Sequence, residues 1–312
     1  MVGELRRMLA AGDLDLPLPG RGRTAQRWAA LAGYGRRDLC LGRLAEGHTD
    51  AAAILAEAGR GPEPGCLYGV WASRHGGGGA HLVPERTGGW SLTGTVAFCS
   101  GAGLIDRALV VADRPGDGAP VLVDVGVAGD GVSVDQTSWP ALGMDASASL
   151  DVTFAGVAVA PPDLVGPPRF YTDRPGFALG GAGVAAVWLG GAAAAFEAAR
   201  GVVAGPDPDP HRLARLGGLH TGLAAADALL ARSAAAVDAS PLGDHAVTVA
   251  TCRSAAEALG RRMVDEVPLV TGPSPLTRER GLARRLADLQ VYIRQHHGGA
   301  DLAALGRLVV GP

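Results

Sequence analysis

The sequence predicts an α+β chain in three parts: a shortened helical domain over 1–65, a middle β-domain over 66–166 read as an antiparallel barrel or sandwich, and a helical bundle over 167–312. Three observations predict it. Apolar residues recur at helical spacing before residue 60. From 67 to 166, β-branched and aromatic runs alternate with Gly, Asp and Pro turns. Beyond 170 the chain changes to long alanine-rich runs, again with helical periodicity.

Each element can be justified in turn. Residues 4–11 form a short amphipathic helix, and 17–22 are a proline-rich break. Thr24 suits the cap of a helix running to Leu31. Residues 38–45 and 50–58 read as two helical segments joined at Gly47-His48. A buried strand is expected over 67–73, ended by the glycine run 76–79, which breaks any regular element. After a turn at 86–89, residues 90–100 carry Trp90, Leu92, Thr93, Val96 and Phe98, which favour strand. Further strands are expected at 107–112, 120–127, 131–136 and 151–159. Four helices follow at 177–200, 212–238, 245–266 and 277–297, with a loop at 271–275 and a short tail at 301–309. The glycines inside 177–200 imply close helix–helix contact at some cost in propensity.

Composition narrows the functional classes. All 28 basic residues are arginine, which excludes a P-loop lysine or a Schiff-base lysine. A net charge of −3 offers no support for nucleic-acid or anionic-membrane binding. Cys40, Cys66, Cys99 and Cys252 show no CxxC pair, so no metal site is expected and core thiols in a reducing cytosol are the ordinary reading. The N-terminus has charges and prolines where a signal peptide needs an apolar run. Residues 177–199 come closest to a membrane helix but are interrupted by glycine, and a buried helix is expected there instead. The compartment expected is the cytoplasm. Gly181-Ala182-Gly183-Val184-Ala185-Ala186 fits a dinucleotide fingerprint, yet no buried strand precedes it and no acidic residue stands about 20 residues on. Helix packing accounts better for these glycines.

Two stretches carry a family resemblance. Tyr68-Gly69-Val70-Trp71, then Gly89-Trp90, Leu92, Gly94 and Phe98-Cys99-Ser100-Gly101-Ala102, resemble the middle β-domain of the acyl-CoA dehydrogenase superfamily. Trp139, Leu142-Gly143-Met144, Asp151-Val152-Thr153-Phe154 and Val157-Ala158-Val159 resemble the passage that follows in that family. Arg284-Arg285-Leu286-Ala287-Asp288, Tyr292 and Gln295-His296-His297 resemble its last helix. The resemblance implies helices, a β-domain and a four-helix bundle in that order, a homodimer or homotetramer, and bound FAD, with FMN as the lesser choice.

The same resemblance nominates residues. Phe98 would stack on the isoalloxazine, Ser100 would place a hydroxyl near its N5, and Tyr68, Val70 and Trp71 would hold the pyrimidine side. Arg212 and Arg215 lie near the family's adenine-end arginine, though a solvated helix start explains them equally well. Gly272 stands at its glycine-rich turn. The glycine run 76–79 replaces a loop that is acidic and serine-containing in the family, and its bare N–H groups could still grip pyrophosphate.

The proton-handling group separates the possible activities. Family dehydrogenases remove an α-proton from an acyl thioester with a glutamate. Here the matching place reads Gln295-His296-His297-Gly298, with no carboxylate between Asp288 and Asp301. Histidine there resembles the flavin-dependent monooxygenases of the superfamily, which take reduced flavin from a separate reductase and use the imidazole to deprotonate or orient a small molecule. The register leaves His296 and His297 open, and two helix-terminal histidines interacting with the last carbonyls would look the same. Three readings stand: α,β-dehydrogenation of an acyl thioester with an electron-transfer partner, monooxygenation, or a non-catalytic homologue. His48 and His75 are expected at the surface.

Overall fold

The computed structural model describes residues 1–86, 88–205 and 209–311. In chain order it contains α1 (Val2–Ala11), α2 (Thr24–Arg37), α3 (Leu39–Glu57), β1 (Tyr68–Trp71), β2 (Gly79–Pro84), β3 (Trp90–Cys99), β4 (Arg107–Asp113), β5 (Pro120–Gly126), β6 (Val132–Asp135), β7 (Leu150–Val159), α4 (Phe170–Asp173), α5 (Gly176–Val203), α6 (Pro210–Ala239), α7 (Ala246–Thr271), α8 (Pro273–Arg278), α9 (Arg280–Tyr292) and α10 (Gly299–Val310). The turn expected at 86–89 includes Thr87, which lies outside the described residues.

Two compact units are interleaved along the chain. One comprises Met1–Asp15, Leu44–Pro140 and Asp145–Phe177; the other comprises Leu16–Arg43, Ala141–Met144 and Ala178–Pro312.

The first unit is built on one seven-stranded mixed sheet, ordered β1-β4-β2-β3-β7-β6, with β5 on the far side of β4. The expectation of an antiparallel sheet is corrected here. β1 runs parallel to residues 107–110 of β4, and β2 runs parallel to Ala112 and Asp113 of the same strand. The two short strands therefore share one edge of β4, and the chain between them breaks at Gly76 and Gly77, both at positive φ. β2 is an addition to the expected strands. The glycine run does interrupt the chain, but Ala80 and Leu82 then alternate inward against β3. Under the sheet, Ala51, Ile54 and Leu55 of α3 pack with Tyr68, Leu109, Leu122 and Val165. Each Leu, Ile or Val side chain buried there contributes about 1.5–3 kcal/mol. Gly47-His48 does not divide α3: His48 is buried, and its Nδ1 accepts the Tyr68 N–H at 3.1 Å, so packing overrides the weak local propensity.

The second unit is helical, and α2 packs on α6 within it. Glycine permits the α2–α5 crossing. A Cβ on Gly35 would sit inside the Val187 carbonyl, and one on Gly190 inside the Ala32 carbonyl. The fingerprint-like glycines Gly181 and Gly183 lie within α5, facing Arg253 and Leu31, and no strand precedes them. α5 is long and apolar enough to cross a membrane by composition, and 67% of its most apolar window is buried inside the structure. The expected loop at 271–275 is a break at Gly272 alone, because Pro273 begins α8 where its missing N–H costs nothing. The expected tail is α10. The last bundle helix ends at Tyr292, passes through one tight turn, Ile293–Gln295, and leaves His296 in extended backbone.

Candidate functional site

The Phe98–Ser100 corner is where the first unit departs most from regular backbone. Between Val96 and Cys99 the β3–β7 register slips: Val96 faces Val152, while Cys99 faces Leu150. Three steps on β3 match two on β7, so the extra residue bulges out. That residue is Phe98, with φ 59° and 45% of its surface exposed. A bulky side chain in the left-handed region costs about 1–3 kcal/mol and persists only where neighbours hold it. The Asp151 carboxylate accepts the Phe98 N–H at 3.3 Å, the Phe98 carbonyl accepts the Ser100 N–H at 3.0 Å, and Cys99 is fully buried beneath. The ring is flanked edge-on by His75 at 5.0 Å and Trp139 at 6.2 Å between centroids.

Ser100 is held from every side. Its carbonyl accepts the Trp71 indole N–H at 3.0 Å. Its hydroxyl lies 2.8 Å from that of Ser149, which lies 2.8 Å from that of Ser147. Gly101 and Ala102 donate N–H to the Ser147 and Ala148 carbonyls at 2.8 and 3.2 Å, stitching the two segments together. Ala148 has φ 43°, and this turns both serines inward from a three-residue stretch. Gly101 carries φ 81°, and a Cβ there would crowd Ile105 and Leu44.

The other residues nominated in this unit have separate settings. Trp71 is buried and tilted against Phe154. Val70 is half-buried. Tyr68 belongs to the core: its hydroxyl accepts the Glu63 N–H at 3.0 Å and lies 3.4 Å from Asp124, which Arg107 holds at 2.8 Å.

In the helical unit the two histidines separate sharply. The His297 side chain is 75% exposed, 3.4 Å from Asp301. His296 is 4% exposed; its Nδ1 accepts the Gly298 N–H at 3.1 Å, and its Nε2 lies 3.1 Å from the Ser254 hydroxyl and 3.9 Å from Asp301. An imidazole nitrogen that accepts a backbone N–H carries no proton, so the neutral ring holds its proton on Nε2. Burial lowers the His296 pKa, opposed by Asp301 and Glu257 and assisted by Arg253 and His297. This imidazole is therefore neutral, of one tautomer, and a donor at Nε2. The donor direction also excludes a Ser254–His296–Asp301 hydrolytic triad, because the carboxylate and the hydroxyl share one nitrogen. Nearby, the Arg253 guanidinium lies over the Trp188 ring at 4.9 Å and donates to the Gly181 and Gln295 carbonyls at 3.1 and 3.2 Å.

The remaining nominated residues fall at the start of α6 and the end of α7. Arg212 is half-buried, and its guanidinium lies 3.4 Å from where a Cβ on Gly272 would stand. Arg215 is exposed and bound to Glu266 at 2.6 Å. The thiols are free; burial pushes Cys40 up to about 12, with Asp288 and Asp38 adding to the shift, and raises Cys99 and Cys252 as well. Sequence reasoning passed over Ser147, Ser149 and Ser254, although the two inward serines stand in the 143–154 passage that resembles the family.

The fold these units make up is that of the acyl-CoA dehydrogenase-like proteins. No family model matches the chain, and no curated protein matches it by sequence. Solved structures do. Nitrososynthase from Micromonospora carbonacea var. africana superposes with a TM-score of 0.84 at 21% identity, over 100% of this chain and 90% of that one. Dibenzothiophene monooxygenase (TdsC) from Paenibacillus sp. A11-2 does so at 0.79 and 23%, over 98% and 88%, and TdsC has also been solved with FMN bound. Methanesulfinate monooxygenase MsuC from Pseudomonas fluorescens gives 0.79 and 20%, over 91% and 82%.

Proposed function

We propose that this chain is a flavin-dependent monooxygenase acting on a small molecule that carries sulfur or nitrogen. The observation that carries the reading is Phe98. An exposed aromatic ring held at positive φ, with a fixed hydroxyl two residues on, makes a flat, strained platform of the kind that folded chains keep for a ligand. The residues fit a flavin: Phe98 would lie on the ring face, Val70 beside it, and Ser100 would address a ring nitrogen, while Trp71 supports Ser100 through its indole N–H and Tyr68 stays in the core. FMN is favoured over FAD, since similar structures were solved with FMN. Arg212, half-buried beside Gly272 and without an ion pair among the described residues, is retained as a candidate for a ligand phosphate; Arg215, held by Glu266, is not.

A bound reduced flavin supplies two electrons and lets dioxygen give one oxygen atom to the substrate and one to water. The chain's own part is binding and orientation. Ser100 aligns the ring through its hydroxyl. His296 offers a hydrogen bond at Nε2, its tautomer set by Gly298, and so orients a substrate heteroatom rather than deprotonating an α-carbon. Monooxygenation is preferred to acyl-thioester dehydrogenation because no carboxylate lies between Asp288 and Asp301 and because two of the similar structures are monooxygenases. A separate flavin reductase as electron source, a homo-oligomeric state, a cytoplasmic location and the division of the chain at 1–65, 66–166 and 167–312 belong to the same proposal.

The test is to supply reduced FMN from a reductase, oxygen, and a panel of sulfides, sulfinates and amines, with acyl-CoAs as the contrast. Oxygenated product from the first group, lost in His296→Ala, supports the reading. Bleaching of bound flavin by an acyl-CoA would replace it with dehydrogenation, and failure to bind FMN or FAD in either redox state would leave a non-catalytic homologue.

A further inference from the structure

The hydroxyl of Ser100 ends a line of three. Ser147, Ser149 and Ser100 are all buried, and each neighbouring pair is separated by 2.8 Å, with either oxygen able to donate. A hydroxyl has one proton and two lone pairs. Ser149, in the middle, can donate to only one neighbour; accepting from both would leave its own buried proton unpaired, so it accepts from the other. The line therefore has two self-consistent states. In one, Ser147 donates to Ser149 and Ser149 to Ser100, leaving the Ser100 proton free to point outward. In the other, Ser100 donates to Ser149 and Ser149 to Ser147, leaving a Ser100 lone pair outward. The backbone bonds that tie Gly101 and Ala102 to Ser147 and Ala148 hold the oxygens in place while the protons turn.

We propose that Ser147 and Ser149 are positioning residues forming a reversible hydrogen-bond line, which lets Ser100 act as donor to an oxidised flavin and as acceptor from a reduced one. This rests on the reading that Ser100 faces a flavin. The chemistry requires such a reversal: N5 of an oxidised isoalloxazine is an acceptor, and after uptake of two electrons and a proton it bears an N–H. A lone serine turned outward as acceptor would leave its own proton pointing into the protein with no partner, and a buried unpaired donor is costly. The Ser149 oxygen removes that penalty, Ser147 removes the same penalty from Ser149, and Ser147, itself fully buried, has a further partner beyond the line. The line thus supports the reduced state without weakening the oxidised one.

The experiment measures dissociation constants of FMN and of photoreduced FMN, anaerobically, for the wild type, S149A, S147A and S149T. Removing Ser149 strands the Ser100 proton only when Ser100 must accept. S149A is therefore expected to weaken reduced FMN about tenfold relative to oxidised FMN, equivalent to a fall of about 30 mV in the two-electron potential of the bound flavin. S147A shifts the ratio in the same direction by less, and S149T, which keeps a hydroxyl, restores the wild-type ratio. Where S149A does not fold, as judged by its melting transition, S147A carries the test. An unchanged ratio in variants that bind flavin overturns this inference and leaves the flavin reading standing. A wild type that binds neither redox state overturns both.

Discussion

The Phe98 corner and the His296 pocket are opposite solutions to placing a functional side chain. Phe98 is exposed, strained in backbone, and in T-shaped contact with His75 and Trp139. His296 is buried, and both of its ring nitrogens have partners. A residue held against its own preference works for something outside the fold, whereas a satisfied one also works for the fold itself. Substitution should therefore cost binding at the first place and stability at the second.

The largest effect expected is on His296. H296A leaves the Gly298 N–H and the Ser254 hydroxyl without their partner and opens a cavity, for a loss of about 2–4 kcal/mol by denaturant unfolding. A loss below 0.5 kcal/mol would erase the contrast between the regions. F98G comes next and should run the other way. Glycine adopts φ 59° freely, so stability should hold or rise by about 1 kcal/mol, while loss of the ring weakens FMN about tenfold. A variant that is less stable yet binds FMN normally would make Phe98 a structural residue.

A subtler expectation concerns pH. Burial lowers the pKa of His296 and of His48, the latter opposed by Asp15. As pH falls, the unfolded chain takes up protons near its ordinary value of about 6.5 while the folded chain does not, so stability is full above that value and is lost as pH drops through it. Unfolding midpoints at pH 7.5 and 5.5 read this. H48N keeps an acceptor for the Tyr68 N–H, and it should flatten part of the slope. The smallest effect is H297A, whose side chain is mostly in solvent: a change within about 0.5 kcal/mol, and unchanged turnover.

Much of the fold was legible because the amino acids at each place act locally. β3 shows its aromatic and β-branched residues openly, and α5 to α7 show long alanine-rich runs. What stayed hidden depends on partners distant in sequence. Nothing about a phenylalanine announces a positive φ; the β3–β7 slip and Asp151 impose it. The parallel edge of β4 arises from two short strands separated by glycines, which no alternation within either strand reveals. His296 and His297 are equivalent in sequence until α9 stops at Tyr292 and a tight turn rotates one inward and the other out. Asp301 lay in what reads as a tail, because α10 has no buried residue to print a periodic pattern.

One measurement bears on the central claim most directly: anaerobic titration of the purified chain with photoreduced FMN, followed by absorbance and fluorescence, beside F98G. The account predicts saturable binding by the wild type and about tenfold weaker binding by F98G at undiminished stability. Equal binding by the two proteins, or none by the wild type, would contradict it.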